Sequence, residues 1–218
     1  LKITISKENY LKAIAEAESE GELVIAATLA RWLKVSAPAV TMALRRLKRD
    51  KLIRIIDGGV IILTPTGREI AQRLIRRHHL IERMLSEIFG MPWYLVHEEA
   101  EQLEHAVSAE FEKKLIEKLG DSDSCPHGNR LGLDSPKKRR ALGWLPLAEL
   151  PPGSRAEVRS AFERDSELLR YLDSLGIHPG APLEMLAANA DSTFTLHIAG
   201  QSVSLGRSAA HRVWVSPL

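Results

Sequence analysis

Through the first 120 positions apolar residues recur at helical spacing, broken by one pair of alternating β-branched runs; beyond about position 145 short strand-like runs take over. Tyr10, Leu11, Ile14 and Ala17 fall on one face of a helix predicted from its cap Ser6 to about Glu20, where Gly21 ends it. A second helix is predicted over 23–33, burying Ala26, Leu29, Ala30 and Leu33. Ser36 then caps a third helix running to about Asp50, with Pro38 in its first turn and Val40, Leu44 and Leu47 facing inward. The runs 53–56 and 60–63, joined by Asp57-Gly58-Gly59, read as a β-hairpin. Three helices and a hairpin in this order predict a winged helix-turn-helix.

Thr64-Pro65-Thr66-Gly67 opens a long helix that carries Leu74, Ile75, Leu80, Ile81, Met84, Leu85 and Ile88 on to Phe89, and Gly90-Met91-Pro92 breaks it. One further helix is predicted over 95–119, with Val96, Ala100, Leu103, Val107, Phe111 and Leu115 at helical spacing. The two carry more apolar surface than a small domain buries, which predicts a homodimer interface. Residues 120–143 form a polar linker whose run Lys137-Lys138-Arg139-Arg140 reads as solvated. Strands are predicted over 156–160, 182–188, 194–198, 202–205 and 213–215, with a short helix over 167–175, as in a small SH3-like β-barrel. The fold class is therefore mostly α with small β. The domains are a winged helix-turn-helix over 1–73, a helical dimerisation domain with linker over 74–143, and a barrel over 144–218.

Charge sharpens this division. Residues 1–77 carry 15 Lys and Arg against 8 Asp and Glu, whereas residues 78–120 carry 4 against 9. A basic block followed by an acidic, His-bearing one suggests polyanion binding first and cation binding second. On the third helix Ser36, Pro38, Ala39, Thr41 and Met42 are placed to read groove edges of double-stranded DNA, and Arg45, Arg46 and Arg49 to meet phosphates. One cysteine, Cys125, excludes an intrachain disulfide framework and fits a reducing cytoplasm. No stretch approaches 18 apolar residues, so no membrane association is expected.

Within the acidic block, His78 and Glu82 share one helical face, and His97, Glu101, Glu104 and His105 make a stripe on the next predicted helix. Imidazoles with carboxylates suit Mn²⁺, Fe²⁺, Co²⁺, Ni²⁺ or Zn²⁺. Cys125 and His127, one residue apart in a loop, can both reach one ion. His79 points in a different direction from His78 and Glu82 and is read as a non-ligand; His178, His197 and His211 are read as barrel surface or satisfied core groups. A metal-dependent hydrolase is the rival from another class, but no H-E-x-x-H, nucleophile elbow or acid/base pair supports an enzyme.

These motifs resemble those of metal-dependent bacterial repressors of the diphtheria toxin repressor family, and within it the manganese transport regulators. The resemblance spans essentially the whole chain. It rests on the helix-turn-helix over 25–49, Thr64-Pro65-Thr66-Gly67, Arg77-His78-His79-Leu80-Ile81-Glu82-Arg83, His97-Glu98-Glu99-Ala100-Glu101 with Glu104-His105, Pro126-x-Gly128-Asn129, and Leu175-Gly176-Ile177-x-Pro179-Gly180.

The resemblance implies a primary, regulatory metal site of Asn9, His78, Glu101, Glu104 and His105. It also implies a secondary site of Glu82, Cys125, His127 and Asp165; the iron-type version would instead use His78, Glu82 and His97 with barrel ligands. Iron-type members place Cys where this chain has Glu101 and Met where it has Asn9. The oxygen-rich set here therefore implies Mn²⁺, with Fe²⁺ as the alternative and Zn²⁺, Co²⁺, Ni²⁺ or Cd²⁺ able to substitute in vitro. It implies a cytoplasmic, homodimeric repressor of metal homeostasis that binds a pseudo-palindromic operator.

Overall fold

In the computed structural model, which describes residues 3–120, 122, 124–130 and 135–218, contacts divide the chain into two units. The first comprises Leu1–Arg77 with Gly132–Pro136, and the second His78–Leu131 with Lys137–Leu218. Parts of the predicted linker, residues 121, 123 and 131–134, lie outside the described residues.

The first unit is built from α1 (Ile5–Ser19), α2 (Ala26–Leu33), α3 (Ala37–Arg49), the antiparallel pair β1 (Ile53–Ile55) and β2 (Ile61–Leu63), and most of α4 (Pro65–Arg83). Leu11, Ile14, Leu29, Leu47, Leu52, Ile53 and Ile61 are almost wholly buried and form its core. Gly21, at φ +77°, lets the chain leave α1, with Glu22 N–H donating to Ala17 O. Thr4 precedes α1 in extended geometry, so the helix starts before Ser6, the expected cap.

The second helix also departs from its predicted form. Residues 23–25 are not helical: Val24 O accepts from Ile61 N–H of the hairpin, and Thr28 Oγ1 donates to Leu23 O. With the start moved to Ala26, α2 buries Thr28, Leu29 and Trp32, while Ala26 is exposed and Ala30 and Leu33 are half-buried. Helix α3 keeps Val40, Leu44 and Leu47 inside as predicted, and Ser36 caps it through its backbone alone. Thr64 Oγ1 accepts from Gly67 N–H at the start of α4. A Cβ on Gly67 would lie 2.0 Å from Leu52 O, so that approach requires glycine.

In the second unit α4 passes into one π-helical turn, Met84–Ile88, which ends at Gly90. The single helix predicted over 95–119 is two, α5 (Val96–Leu103) and α6 (Ala109–Leu119). Ser108 causes the break: its Oγ accepts from Phe111 N–H, and Glu110 and Glu112 follow in the first turn of α6. Val96, Ala100 and Leu115 stay buried with Leu80, Ile81, Met84 and Leu85, but Leu103 and Phe111 are exposed, as are Ile88, Phe89 and Ile116.

The chain continues through α7 (Pro136–Ala141), β3 (Leu145–Pro146), β4 (Arg155–Ala161), α8 (Ser166–Ser174), β5 (Pro182–Ala188), β6 (Thr193–Ile198), β7 (Gln201–Gly206), α9 (Arg207–Ala210) and β8 (Val213–Pro217). The strands form one antiparallel sheet in the order β3-β8-β4-β5-β6-β7 around Leu147, Leu169, Leu172, Ile177, Met185 and Phe194. The basic run is not wholly solvated. Arg139 is buried, stacks over Trp214 and donates to Asn129 Oδ1, while Arg140 pairs with Glu149.

Candidate metal centre and nucleic-acid face

The second unit gathers an unusual set of buried ionisable side chains. His78, His79 and Glu82 stand on α4, His97 on α5, Glu104 just after α5, Cys125 and His127 on a loop, and Glu163 between β4 and α8; all are buried. Buried carboxylates and imidazoles lose hydration that only mutual pairing or an ion can replace.

Among the described residues, two groups have ligand atoms close enough to hold an ion, His78–Glu82–His97–Glu163 and His79–Glu82–Cys125–Glu163. In the first, His78 Nε2 lies 2.9 Å from Glu82 Oε1 and 2.9 Å from His97 Nδ1. The opposite nitrogen of that ring, His78 Nδ1, meets Glu104 Oε2 at 2.7 Å. In the second, Cys125 Sγ lies 3.6 Å from Glu163 Oε2. His127 Nδ1 adds to it at 3.4 Å from Glu82 Oε2, while His127 Nε2–H donates to Trp93 O at 2.8 Å and holds the ring in that orientation.

Gly128 holds the Cys125–His127 loop in place. Its φ is +80°, and a Cβ there would sit 1.9 Å from Arg159 O, so the loop lies directly on β4. Ala161 N–H donates to His127 O, and Asn129 Nδ2 donates to Glu163 Oε2 at 2.6 Å.

The electrostatics follow from this crowding. Burial favours the neutral acid of Glu82, but the His127 and His78 imidazoles outweigh it and hold the carboxyl well below its usual range. At Glu163, burial and the Glu82 charge push upward, and His79 and His97 prevail to keep it low. His97 loses charge stability by burial, yet Glu101, Glu82 and Glu163 raise it to about 10. Burial, then Glu82 and Glu163, push the Cys125 thiol well above its ordinary value. Glu82 Oε2 makes no hydrogen bond among the described residues. A buried carboxylate oxygen in that condition, facing imidazole nitrogens and a thiol, is chemically suited to a divalent cation.

The ligands expected from sequence are distributed unevenly. His78, Glu82 and His97 come together, as do Glu82, Cys125 and His127. Glu104 also lies 3.5 Å from His105 Nε2, while Glu101 accepts from Arg164 at 3.0 Å and faces His97 Nε2 at 3.5 Å. Asn9 is half-buried on α1 of the first unit. Asp165 does not join the cluster: its Oδ1 caps α8 by accepting from Leu168 N–H, and its Oδ2 accepts from Arg212. The acid that reaches the site is Glu163, two residues earlier. His79, read from its direction as a non-ligand, lies 3.6 Å from Glu163 Oε1, since i and i+3 on α4 bring it onto the Glu82 side. His178, His197 and His211 are exposed.

In the first unit Ser36, Pro38, Ala39, Thr41, Met42, Arg45, Arg46 and Arg49 are all exposed on α3, opposite buried Val40, Leu44 and Leu47. Thr41 Oγ1 donates to Ala37 O, and Arg49 donates to Asp50, which also pairs with Lys7.

Residues 2–55 match the family described as iron dependent repressor, N-terminal DNA binding domain; residues 64–131 match iron dependent repressor, metal binding and dimerisation domain; residues 145–217 match the FeoA domain. The diphtheria toxin repressor of Corynebacterium efficiens is 32% identical over 219 residues, covering 95% of this chain and 94% of the relative. The iron-dependent repressor IdeR of Mycobacterium leprae is 32% identical over 219 residues and covers 95% of each chain. A solved manganese-dependent transcriptional repressor in complex with manganese superposes with a TM-score of 0.87 at 32% identity, covering 97% of this chain and 100% of that one.

Proposed function

The chain belongs to the diphtheria toxin repressor family of metal-dependent DNA-binding repressors, a family of regulators and not of enzymes, and from that premise we infer that it is a manganese-responsive repressor of metal homeostasis. One observation carries the metal dependence: a wholly buried group of imidazoles, carboxylates and a thiol, including a carboxylate oxygen with no hydrogen bond among the described residues. The choice of Mn²⁺ over Fe²⁺ rests on Glu101, an oxygen donor where a soft sulfur would favour iron or zinc. Zn²⁺, Co²⁺, Ni²⁺ and Cd²⁺ suit the same nitrogen, oxygen and sulfur donors in vitro.

The regulatory ion is assigned to Glu101, Glu104 and His105, with His78 linking this site to the buried cluster. The secondary ligands are Glu82, Cys125, His127 and Glu163, with His97 on the side of His78. When bound, the ion supplies positive charge that makes carboxylate, imidazole and thiolate compatible in one place. The protein's residues do the rest: Glu104 orients His78, Trp93 O fixes the tautomer of His127, and Asn129 aims Glu163. An ion that binds one arrangement better than another shifts the population toward it. The arrangement selected is a homodimer whose two α3 helices match half-sites of a pseudo-palindromic operator. Domain limits of 1–73, 74–143 and 144–218 and a cytoplasmic location fit this role. Among the described residues no helix is long and apolar enough to cross a membrane.

A gel-shift titration on the promoter of a candidate metal transporter, run with Mn²⁺, with Fe²⁺ under anaerobic conditions, with Zn²⁺ and without metal, tests the reading. Retardation is expected with Mn²⁺ at the lowest concentration and absent without metal. DNA binding indifferent to every ion would refute it, and a lower threshold for Fe²⁺ would make the protein an iron regulator.

A further inference from the structure

A pocket of about 130 Å³ opens in the first unit between the N-terminal end of α1 and the middle of α4. Its lining is Ile3 ahead of α1, Glu8 in the first turn of α1, and Ile70, Arg73, Leu74 and Arg77 on α4. All six belong to the first unit, and none belongs to the buried cluster of the second. We propose that this pocket binds a small organic monocarboxylate with a short branched hydrocarbon tail. The site shares no residue with the metal centre, so it stands or falls independently of the metal-dependent reading.

Helical spacing builds the lining. Ile70, Leu74 and Arg77 follow one another at i, i+4 and i+7 along one face of α4, and Arg73 stands beside them one turn before Arg77. Leu74 is buried, Ile3, Ile70, Glu8 and Arg77 are half-buried, and Arg73 is exposed. The pocket therefore runs from a charged rim at Arg73 to an apolar floor at Leu74, which fixes the ligand's direction: hydrocarbon inward, carboxylate outward. Arg68, earlier on the same helix, donates to Glu18 of α1 at 2.9 Å, whereas Arg73 has no hydrogen bond or ion pair among the described residues. An exposed arginine without a partner is ordinary by itself. At the mouth of an apolar pocket it offers a planar fork of donors matched to a carboxylate.

Size and charge narrow the ligand further. An apolar cavity of about 150 Å³ holds a benzene ring, so this pocket takes about five to seven non-hydrogen atoms. Two guanidinium groups against the Glu8 carboxylate leave the lining with one positive charge in excess, which a monoanion cancels. Phosphate as a dianion overshoots that balance beside Glu8. It also brings no hydrocarbon to bury against Ile3, Ile70 and Leu74, and so forgoes the apolar half of the site.

The test uses the full chain stripped of metal by chelation, so that no carboxylate binds through an ion. Ligand resonances are followed by NMR in titrations with isovalerate, with its neutral twin isovaleramide and with inorganic phosphate. Isovalerate is expected to saturate with a Kd of about 1 mM, within what about seven non-hydrogen atoms supply. Isovaleramide should bind at least about tenfold more weakly, because it lacks the charge that faces Arg73. Arg73→Gln, at an exposed position that spares the fold, should weaken isovalerate by about tenfold and leave the two ligands nearly alike. Ile70→Trp should fill the pocket and abolish binding, with circular dichroism as the check on folding. Equal affinity for isovalerate and isovaleramide in the wild type would overturn the site, and so would isovalerate binding unchanged by either substitution. Absence of saturation at about 50 mM would do the same. Phosphate binding tighter than isovalerate would also overturn it and make the two arginines a contact for the DNA backbone instead.

Discussion

Replacing Gly128 by Ala should dismantle the thiol side of the metal centre while sparing the fold around it. An L-residue at φ +80° costs roughly 1–2 kcal/mol from backbone strain alone. The added methyl would lie 1.9 Å from Arg159 O and 2.9 Å from Ser160 Cα, so the loop has to withdraw by more than an ångström to reach ordinary contact distance. Withdrawal breaks the Ala161 N–H bond to His127 O and strains the Asn129 bond to Glu163, each worth about 0.5–1.5 kcal/mol net. The combined loss of about 3 kcal/mol should lower the thermal midpoint of the second unit by roughly 10 °C. Metal binding should suffer more, because ligand distances tolerate only about 0.2 Å of error. Cys125 and His127 would leave the ion that Glu82 and Glu163 still face. Calorimetry and metal analysis on the purified variant, with the His78 and His97 side as internal control, read both effects. A Gly128→Ala protein with unchanged midpoint and unchanged metal content would refute the close approach of this loop to β4.

Other outcomes follow from the same geometry. Arg45→Ala or Arg46→Ala should weaken binding to all DNA sequences and reduce the salt slope by roughly one per lost phosphate contact, whereas Met42→Ala should change sequence preference; unaltered slopes in both arginine variants would remove α3 from the groove. Glu104→Gln keeps the shape but not the charge against His78, and should cost about 10–100-fold in metal affinity with no change in circular dichroism; an unchanged titration would deny it that role. Asp165→Ala should cost about 1 kcal/mol through the lost α8 cap and leave metal content intact, and a lost equivalent of metal would return Asp165 to the ligand set. In the metal-free protein Glu101, Glu82 and Glu163 raise His97 to about 10, and burial with the neighbouring carboxylates holds the Cys125 thiol well above its ordinary value, so at neutral pH both hold protons that an ion must displace. Apparent affinity should therefore rise with pH between about 6 and 8, with proton release detectable in calorimetry across buffers of different ionisation enthalpy. Flat affinity over that range would contradict the arrangement.

The periodicity of the chain revealed most of the architecture because its signals are local. Val40, Leu44 and Leu47 alternate with the exposed positions on α3 as a 3.6-residue period demands, and the two β-branched runs around Asp57-Gly58-Gly59 pair in register from Ile53 with Leu63 to Ile55 with Ile61. Failures occurred where a competing local bond decided. Apolar spacing over 95–119 reads as one helix, yet the Ser108 side chain offers the backbone a cap and splits it. Thr28 likewise draws its hydroxyl to Leu23 O and delays α2. At the metal centre, residues on one element were legible from i and i+4 spacing, as with His78 and Glu82. Glu163 was not, since it arrives from the barrel, and only tertiary packing separates it from Asp165 nearby. The sequence did hold one usable clue: Asp165-Ser166-Glu167-Leu168 is a helix-start pattern that already occupies the Asp165 carboxylate.

The chain's single thiol, Cys125, is only 4% exposed and belongs to the buried cluster. It is therefore a built-in clock for how often the centre opens. An alkylating reagent reaches Cys125 only during local opening, so its labelling rate, divided by that of a free thiol, gives the opening equilibrium without mutation or added probe. Each ion that binds the closed form should slow labelling by the factor one plus free ion over its dissociation constant, turning a mass-spectrometric time course into a binding isotherm for the thiol side of the site. Ions confined to the regulatory site would retard the clock only as far as they stiffen the centre as a whole. The retention time of each metal at Cys125 could thus be followed inside intact cells, where the protein competes for its ion against everything else that binds it.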